Sequence, residues 1–152
     1  MIKGYTMIEL LIIVTVSGLL ISLGTSAYSK AKDRQELRAD VELTLETLQS
    51  AKKQAVIGEK DCNGIFLGIQ VTITQGSQNL THQAICQGDV GAIKTKTLLS
   101  STPTSSTILR FRPLDGSTNL APTGVTFNLT TSTGLTTTFT ISQSGAITYA
   151  SP

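Results

Sequence analysis

The chain is poor in the residue types that enzyme active sites use most. It has one histidine, two cysteines and no tryptophan, and charged residues make up only 14% of it. His82 and the two cysteines cannot supply four zinc ligands, and no phosphate-binding glycine loop or nucleophile motif occurs. We therefore predict no catalytic residue, no metal and no cofactor, and we interpret His82 as a polar strand residue.

The chain also has little excess charge of either sign. The formal net charge is +2, which gives no strong attraction to nucleic acid or to an acidic membrane surface. Four cations in the second half of the chain are nevertheless candidates for a small patch with weak, salt-sensitive DNA contact, namely Lys94, Lys96, Arg110 and Arg112. The alternative is an ordinary solvated face, which the near-neutral tail 145–152 favours.

The length and the cysteines indicate one exported domain. A chain of 152 residues has room for one domain with its own core. Cys62 and Cys86 predict one disulfide in an oxidising compartment, with a pair of buried free thiols as the alternative. A disulfide that closes this loop of about 25 residues would stabilise the domain by about 3 kcal/mol in the chain-entropy model.

Residues 7–27 form the one long apolar run, interrupted only by Glu9. About 20 such residues span a bilayer core as a helix. A secretory signal peptide cut after Ala27 is the alternative. Glu9 favours the membrane helix, because a carboxylate in hydrocarbon costs a few kcal/mol and is kept where it has a partner.

The charges that flank the apolar run argue against an exported domain. Four cations follow the apolar run at Lys30, Lys32, Arg34 and Arg38, whereas only Lys3 precedes it. The positive-inside rule would therefore place the domain in the cytoplasm. Asp33 and Glu36 lie among these cations and weaken the bias, and the cysteine pair favours the outside.

The residues after the apolar run continue it as a helix. No proline or glycine occurs between Ala27 and Gly58, and the apolar residues recur at spacings of three, four or seven, namely Leu37, Val41, Leu45, Leu48 and Ala55. This pattern predicts one helix from the N-terminus to about Ile57, about 80 Å long, with Gly58 as its C-cap.

The N-terminal residues Lys3-Gly4-Tyr5-Thr6-Met7-Ile8-Glu9-Leu10-Leu11 resemble the processing sequence of type IV pilins and type II secretion pseudopilins. The resemblance implies that a prepilin peptidase cuts after Gly4 and methylates the amine of Tyr5, where the family usually has Phe or Met. It also implies that Glu9 pairs with the amine of a neighbouring subunit during assembly. Its partners would be other pilin or pseudopilin subunits, the peptidase and the inner membrane.

This resemblance divides the chain into a leader (1–4), a transmembrane and assembly helix (5–27) and a periplasmic or extracellular domain (28–152). The protein would sit in the cell membrane as a single-pass subunit and then enter an extracellular pilus or a periplasmic pseudopilus. Residues 48–55, 111–116 and 141–145 loosely resemble the H-type pseudopilin and minor pilin branch, with a major pilin as the alternative.

The rest of the chain alternates like β-strands. Apolar residues at every second position from Ile65 to Ile73 predict a strand with one face on the core, and further strands are predicted at 82–86, 108–111, 125–129, 135–141 and 147–149. Residues 94–106 predict a surface loop or edge. The fold class is therefore α+β, a long helix packed on antiparallel sheet, as in pilins.

Three other functions remain open on the sequence. The chain is a pilus-tip module that binds DNA or another ligand, a secreted β-rich domain cut after Ala27, or a membrane-anchored protein that never polymerises. The residue at which the mature chain begins separates the last two from a pilin.

Overall fold

A computed structural model describes residues 6–120 and 123–150 of the chain. One helix, α1, runs without interruption from Met7 to Ile57, 51 residues and about 77 Å at the helical rise. It ends at Gly58, whose φ of +71° is the left-handed conformation that glycine adopts most easily. The predicted single helix and its C-cap are confirmed.

Nine strands follow within the described residues, and they form two antiparallel sheets. The strands are β1 (Phe66–Ile73), β2 (Asn79–Cys86), β3 (Asp89–Val90), β4 (Lys94–Thr97), β5 (Thr102–Pro103), β6 (Thr107–Phe111), β7 (Val125–Thr130), β8 (Thr136–Ile141) and β9 (Ile147–Ala150). The first sheet has the order β3-β2-β1-β6, with β4 also paired to β2, and the second has the order β5-β7-β8-β9. The α+β class is confirmed.

A single core joins the second half of α1 to both sheets. The helix buries five apolar side chains, namely Leu37, Val41, Leu48, Ala51 and Ala55, in one cluster with residues of both sheets. In the second sheet the rings of Phe127 and Phe139 stack with centroids 5.1 Å apart. The burial of these apolar side chains, worth about 25 cal/mol per Å² of buried area, holds the helix on the sheets.

The predicted alternation along β1 is wrong at its start. Ile69, Val71 and Ile73 are buried, but Ile65 and Leu67 are 66% and 40% exposed. The pairing with β2 shifts between Phe66 and Gly68, which is a β-bulge, and an extra residue in a strand reverses the faces of the residues before it. Gly68 has a φ of +131°. It also lies so close to the carbonyl oxygen of Phe111 that a Cβ atom at this position would overlap that oxygen.

Candidate functional site

Residues 7–22 of α1 are exposed, and the rest of the described protein does not cover them. The large apolar side chains between Met7 and Ile21 are at least half exposed, from 50% at Val16 to 94% at Met7. This stretch is long and apolar enough to cross a membrane, by length and composition. The domain leaves this apolar surface uncovered, and exposed apolar surface of this size is typical of a segment that contacts a membrane or another protein.

Thr6 and Glu9 organise the first turn of this helix. Thr6 is the N-cap, and its hydroxyl accepts a hydrogen bond from the backbone N–H of Glu9 at 3.4 Å. Thr6-Met7-Ile8-Glu9 is a capping-box sequence, a pattern that the sequence-based predictions did not include. Glu9 is exposed, and its carboxylate adds favourable charge at a helix N-terminus. The predicted processing residues Gly4 and Tyr5 lie outside the described residues.

The domain first meets α1 one turn beyond the apolar run. A groove of about 550 Å³ lies there between the helix and the β7–β8 turn, and it is lined by Ser29, Lys30, Asp33, Arg34, Thr133 and Leu135. Lys32, which points elsewhere, forms an ion pair with Glu36 at 3.5 Å. Leu37, the first buried residue among the described side chains of α1, follows the groove directly.

Asp40 holds the loop between β4 and β5 to the helix. Its side chain is fully buried, and its carboxylate accepts hydrogen bonds from three consecutive backbone N–H groups, those of Leu99 at 2.6 Å, Ser100 at 3.1 Å and Ser101 at 2.9 Å. The Ser101 hydroxyl donates a fourth at 2.7 Å. A charged acceptor with several donors makes strong bonds. The sequence-based predictions did not include Asp40, although an acidic residue within the apolar stripe was the available signal.

The predicted disulfide is confirmed. Cys62 and Cys86 are bonded, with their Cα atoms 6.1 Å apart. Cys62 lies in the segment after α1, and Cys86 is the last residue of β2. The bond therefore ties the end of the first β-hairpin to the exit of the helix.

Lys94 and Lys96 lie on β4, at one edge of the first sheet. They are paired with His82 and Leu80 of β2, whose side chains face the core. Directly paired residues share a face, so both ammonium groups project on the side of the sheet that α1 covers.

Arg110 and Arg112 lie at the opposite edge, on β6 and just after it. Arg110 is paired with Gln70, and its Nη2 donates to the Gln70 Oε1 at 3.4 Å on the other face of the sheet. Strands β1 and β2 separate β6 from β4, a distance of about 14 Å at the usual strand spacing. The structure does not bring the two pairs of cations together, and contact of either pair with DNA stays a prediction.

His82 is buried beside a small cavity of about 50 Å³ that Asp61 and Lys94 also line. Burial, and after it the charges of Lys94 and Lys96, lower the pKa of His82 below its ordinary 6.5, against an opposing effect of Asp61. The imidazole is therefore neutral near pH 7. Within residues 6–120 and 123–150, no group of three His, Cys, Asp or Glu side chains is placed to hold a metal ion.

Asp89 and Asp115 each hold loop backbone through hydrogen bonds. Asp89 accepts hydrogen bonds from the backbone N–H groups of Asn63 and Val90, and Asp115 accepts from the N–H and the hydroxyl of Ser117. These bonds to the charged form lower the pKa of both carboxyl groups. The contact of Asp115 with Ser117 is that of an ordinary Asx turn, whereas Asp89 connects two segments that are 26 residues apart in the chain.

Comparison with protein-family models, with curated proteins and with solved structures returned no match. A function for this chain is therefore inferred from its own residues and their geometry.

Proposed function

We propose that this protein is a structural subunit of the type IV pilin class. It is cut after Gly4, anchored by α1 as a single membrane pass, and assembled into a filament through that helix, either an extracellular pilus or a periplasmic pseudopilus. The observation that carries the proposal is the exposed apolar stretch 7–22, which belongs to one continuous helix that leads into a disulfide-bonded domain.

The exposed half of α1 supports assembly as well as anchoring. Eleven large apolar side chains project from it between Met7 and Ile21, and burying each is worth about 1.5–3 kcal/mol. A bilayer supplies that burial for a single chain. Packing against the helices of other subunits supplies it equally well once the chain leaves the membrane, so both states of a pilin are accessible to the same surface.

Glu9 is the residue that separates a filament subunit from a plain anchor. A lone carboxylate near hydrocarbon lowers the stability of an anchor and serves it in no way. In a filament it pairs with the free amine of Tyr5 on the next subunit, and this charge pair fixes how far adjacent helices are staggered. The capping bonds between Thr6 and Glu9 use the backbone N–H of Glu9, so they do not compete for the carboxylate.

The intact mass and N-terminal sequence test the processing step, in cells that carry a prepilin peptidase. We expect a chain that begins at Tyr5 and carries one added methyl group. A chain that begins at Tyr28 would identify a secreted domain instead, and an uncut chain with Met1 would identify a plain membrane anchor.

The assembly step is tested by variants at Glu9. Glu9→Gln keeps a side chain that suits the capping box but removes the charge, so we expect normal membrane insertion and loss of filaments. Glu9→Asp keeps the charge and should retain part of the assembly. Thr6→Ala is the matched control, because it removes the cap, at a cost of about 1 kcal/mol, and leaves the carboxylate in place. Equal filament yield from Glu9→Gln and wild type would contradict the proposal.

A further inference from the structure

The groove between α1 and the β7–β8 turn lies at the depth of lipid head groups. Lys30 and Arg34 are three and seven residues beyond Ala27, so they lie about 4–11 Å past the end of the apolar run along the helix. The head-group layer of a bilayer extends roughly 5–8 Å beyond the hydrocarbon on each side. In a membrane-anchored chain Lys30 therefore lies within the head-group layer, and Arg34 lies just beyond it with a long side chain that points back toward the N-terminus of the helix and the phosphates.

The charges of the groove suit a monoanion. Lys30 and Arg34 are one helical turn apart and both line the groove, whereas Lys32 is paired with Glu36. That pair is the one salt bridge among the described parts of the chain. Asp33 lies between the two groove cations, which leaves the groove with an excess of one positive charge. A phosphodiester carries one negative charge, and Arg and Lys are its usual ligands.

The far wall of the groove is rigid and partly apolar. In the β7–β8 turn the backbone N–H of Thr131 donates to the Leu135 carbonyl at 3.0 Å, and the N–H of Leu135 donates to the Thr131 hydroxyl at 3.1 Å. These bonds hold Thr133 and Leu135 opposite the helix. Leu135 is half-buried and offers an apolar contact to the glycerol and the first acyl carbons.

We propose that this groove binds the head group of one anionic glycerophospholipid, with the phosphate between Lys30 and Arg34 and the glycerol against Leu135. The bound lipid would fix the height and the rotation of α1 in the membrane before assembly. The inference rests on the membrane anchoring in the proposed function and is independent of polymerisation.

Native mass spectrometry of the full chain in detergent tests the groove, with short-chain phosphatidylglycerol as the added probe. We expect one lipid per chain. Lys30→Gln with Arg34→Gln should raise the Kd about 25-fold, roughly fivefold for each cation lost. Lys32→Gln with Arg38→Gln is the matched control, since it removes the same charge from the same segment outside the groove and should change the Kd less than twofold. Thr133→Trp, which narrows the groove without changing its charge, should also weaken binding.

Several outcomes would overturn the proposal. Equal weakening by both double variants would show attraction to surface charge in general, and equal affinity for soluble glycerol phosphate would show a free phosphate site. Dimers that Lys30→Gln with Arg34→Gln dissociates would show that a second copy occupies the groove. None of these outcomes alters the N-terminal mass or the Glu9 phenotype, so failure here is distinct from failure of the proposed function.

Discussion

The buried carboxylate of Asp40 offers a sharp test of what holds the domain to its helix. Asp40→Asn conserves volume but places an amide –NH2 where one carboxylate oxygen now accepts, so a buried N–H donor must face another donor. The variant also removes the charge from the remaining bonds to Ser100 and Ser101. An unsatisfied buried donor costs about 1–3 kcal/mol, and charged acceptors are worth more than neutral ones. We expect a total loss near 3 kcal/mol, a large part of the usual stability of a domain.

Urea unfolding of residues 28–152, followed by circular dichroism, measures this loss. Every described buried residue lies from Leu37 onward, so this fragment keeps the whole core. With an m-value of about 1.5 kcal/mol/M, the midpoint should fall by about 2 M. Ser101→Ala removes one of the four donors and should cost about 1 kcal/mol. Glu42→Gln, an exposed carboxylate on the same helix, should change stability by less than about 0.5 kcal/mol. If Asp40→Asn costs no more than Glu42→Gln, the stabilising role of the buried carboxylate is refuted.

Two further predictions concern the first sheet. Gly68→Ala should destabilise the domain by about 3 kcal/mol in urea unfolding, because the new Cβ meets the Phe111 carbonyl. Gly76→Ala, also at positive φ but in open space, should cost only about 1 kcal/mol. Similar costs for the two variants would show that the contact at the bulge has no effect on stability. Since the pKa of His82 is lowered by burial and by Lys94, the unfolded chain takes up this proton first, and stability should fall as the pH drops below about 6.5. A His82→Gln variant should lack this component, and parallel pH curves for the two proteins would exclude the imidazole as its source.

Local sequence patterns predicted the elements of this protein because each depends on near neighbours. An apolar run, an unbroken helical stripe and a glycine at its end are sufficient to define α1, and period-two alternation located six of the nine strands in the described residues. The cysteine pairing followed from there being only two cysteines. These features are decided within a few turns or strand lengths, where propensity and period act directly.

Contacts between distant segments were decided only by the tertiary structure. The division into two sheets, the bulge at Gly68 and the separation of Lys94 from Arg110 all depend on which strands pair, and pairing is set by the packing of the whole core. The role of Asp40 depends on a loop about 60 residues away along the chain. The groove at Lys30 and Arg34 likewise exists only because the β7–β8 turn folds back onto α1. The sequence by itself therefore determined a membrane-length helix with a β-domain behind it, and folding decided which side chains meet, because burial and hydrogen bonding are satisfied over the whole molecule.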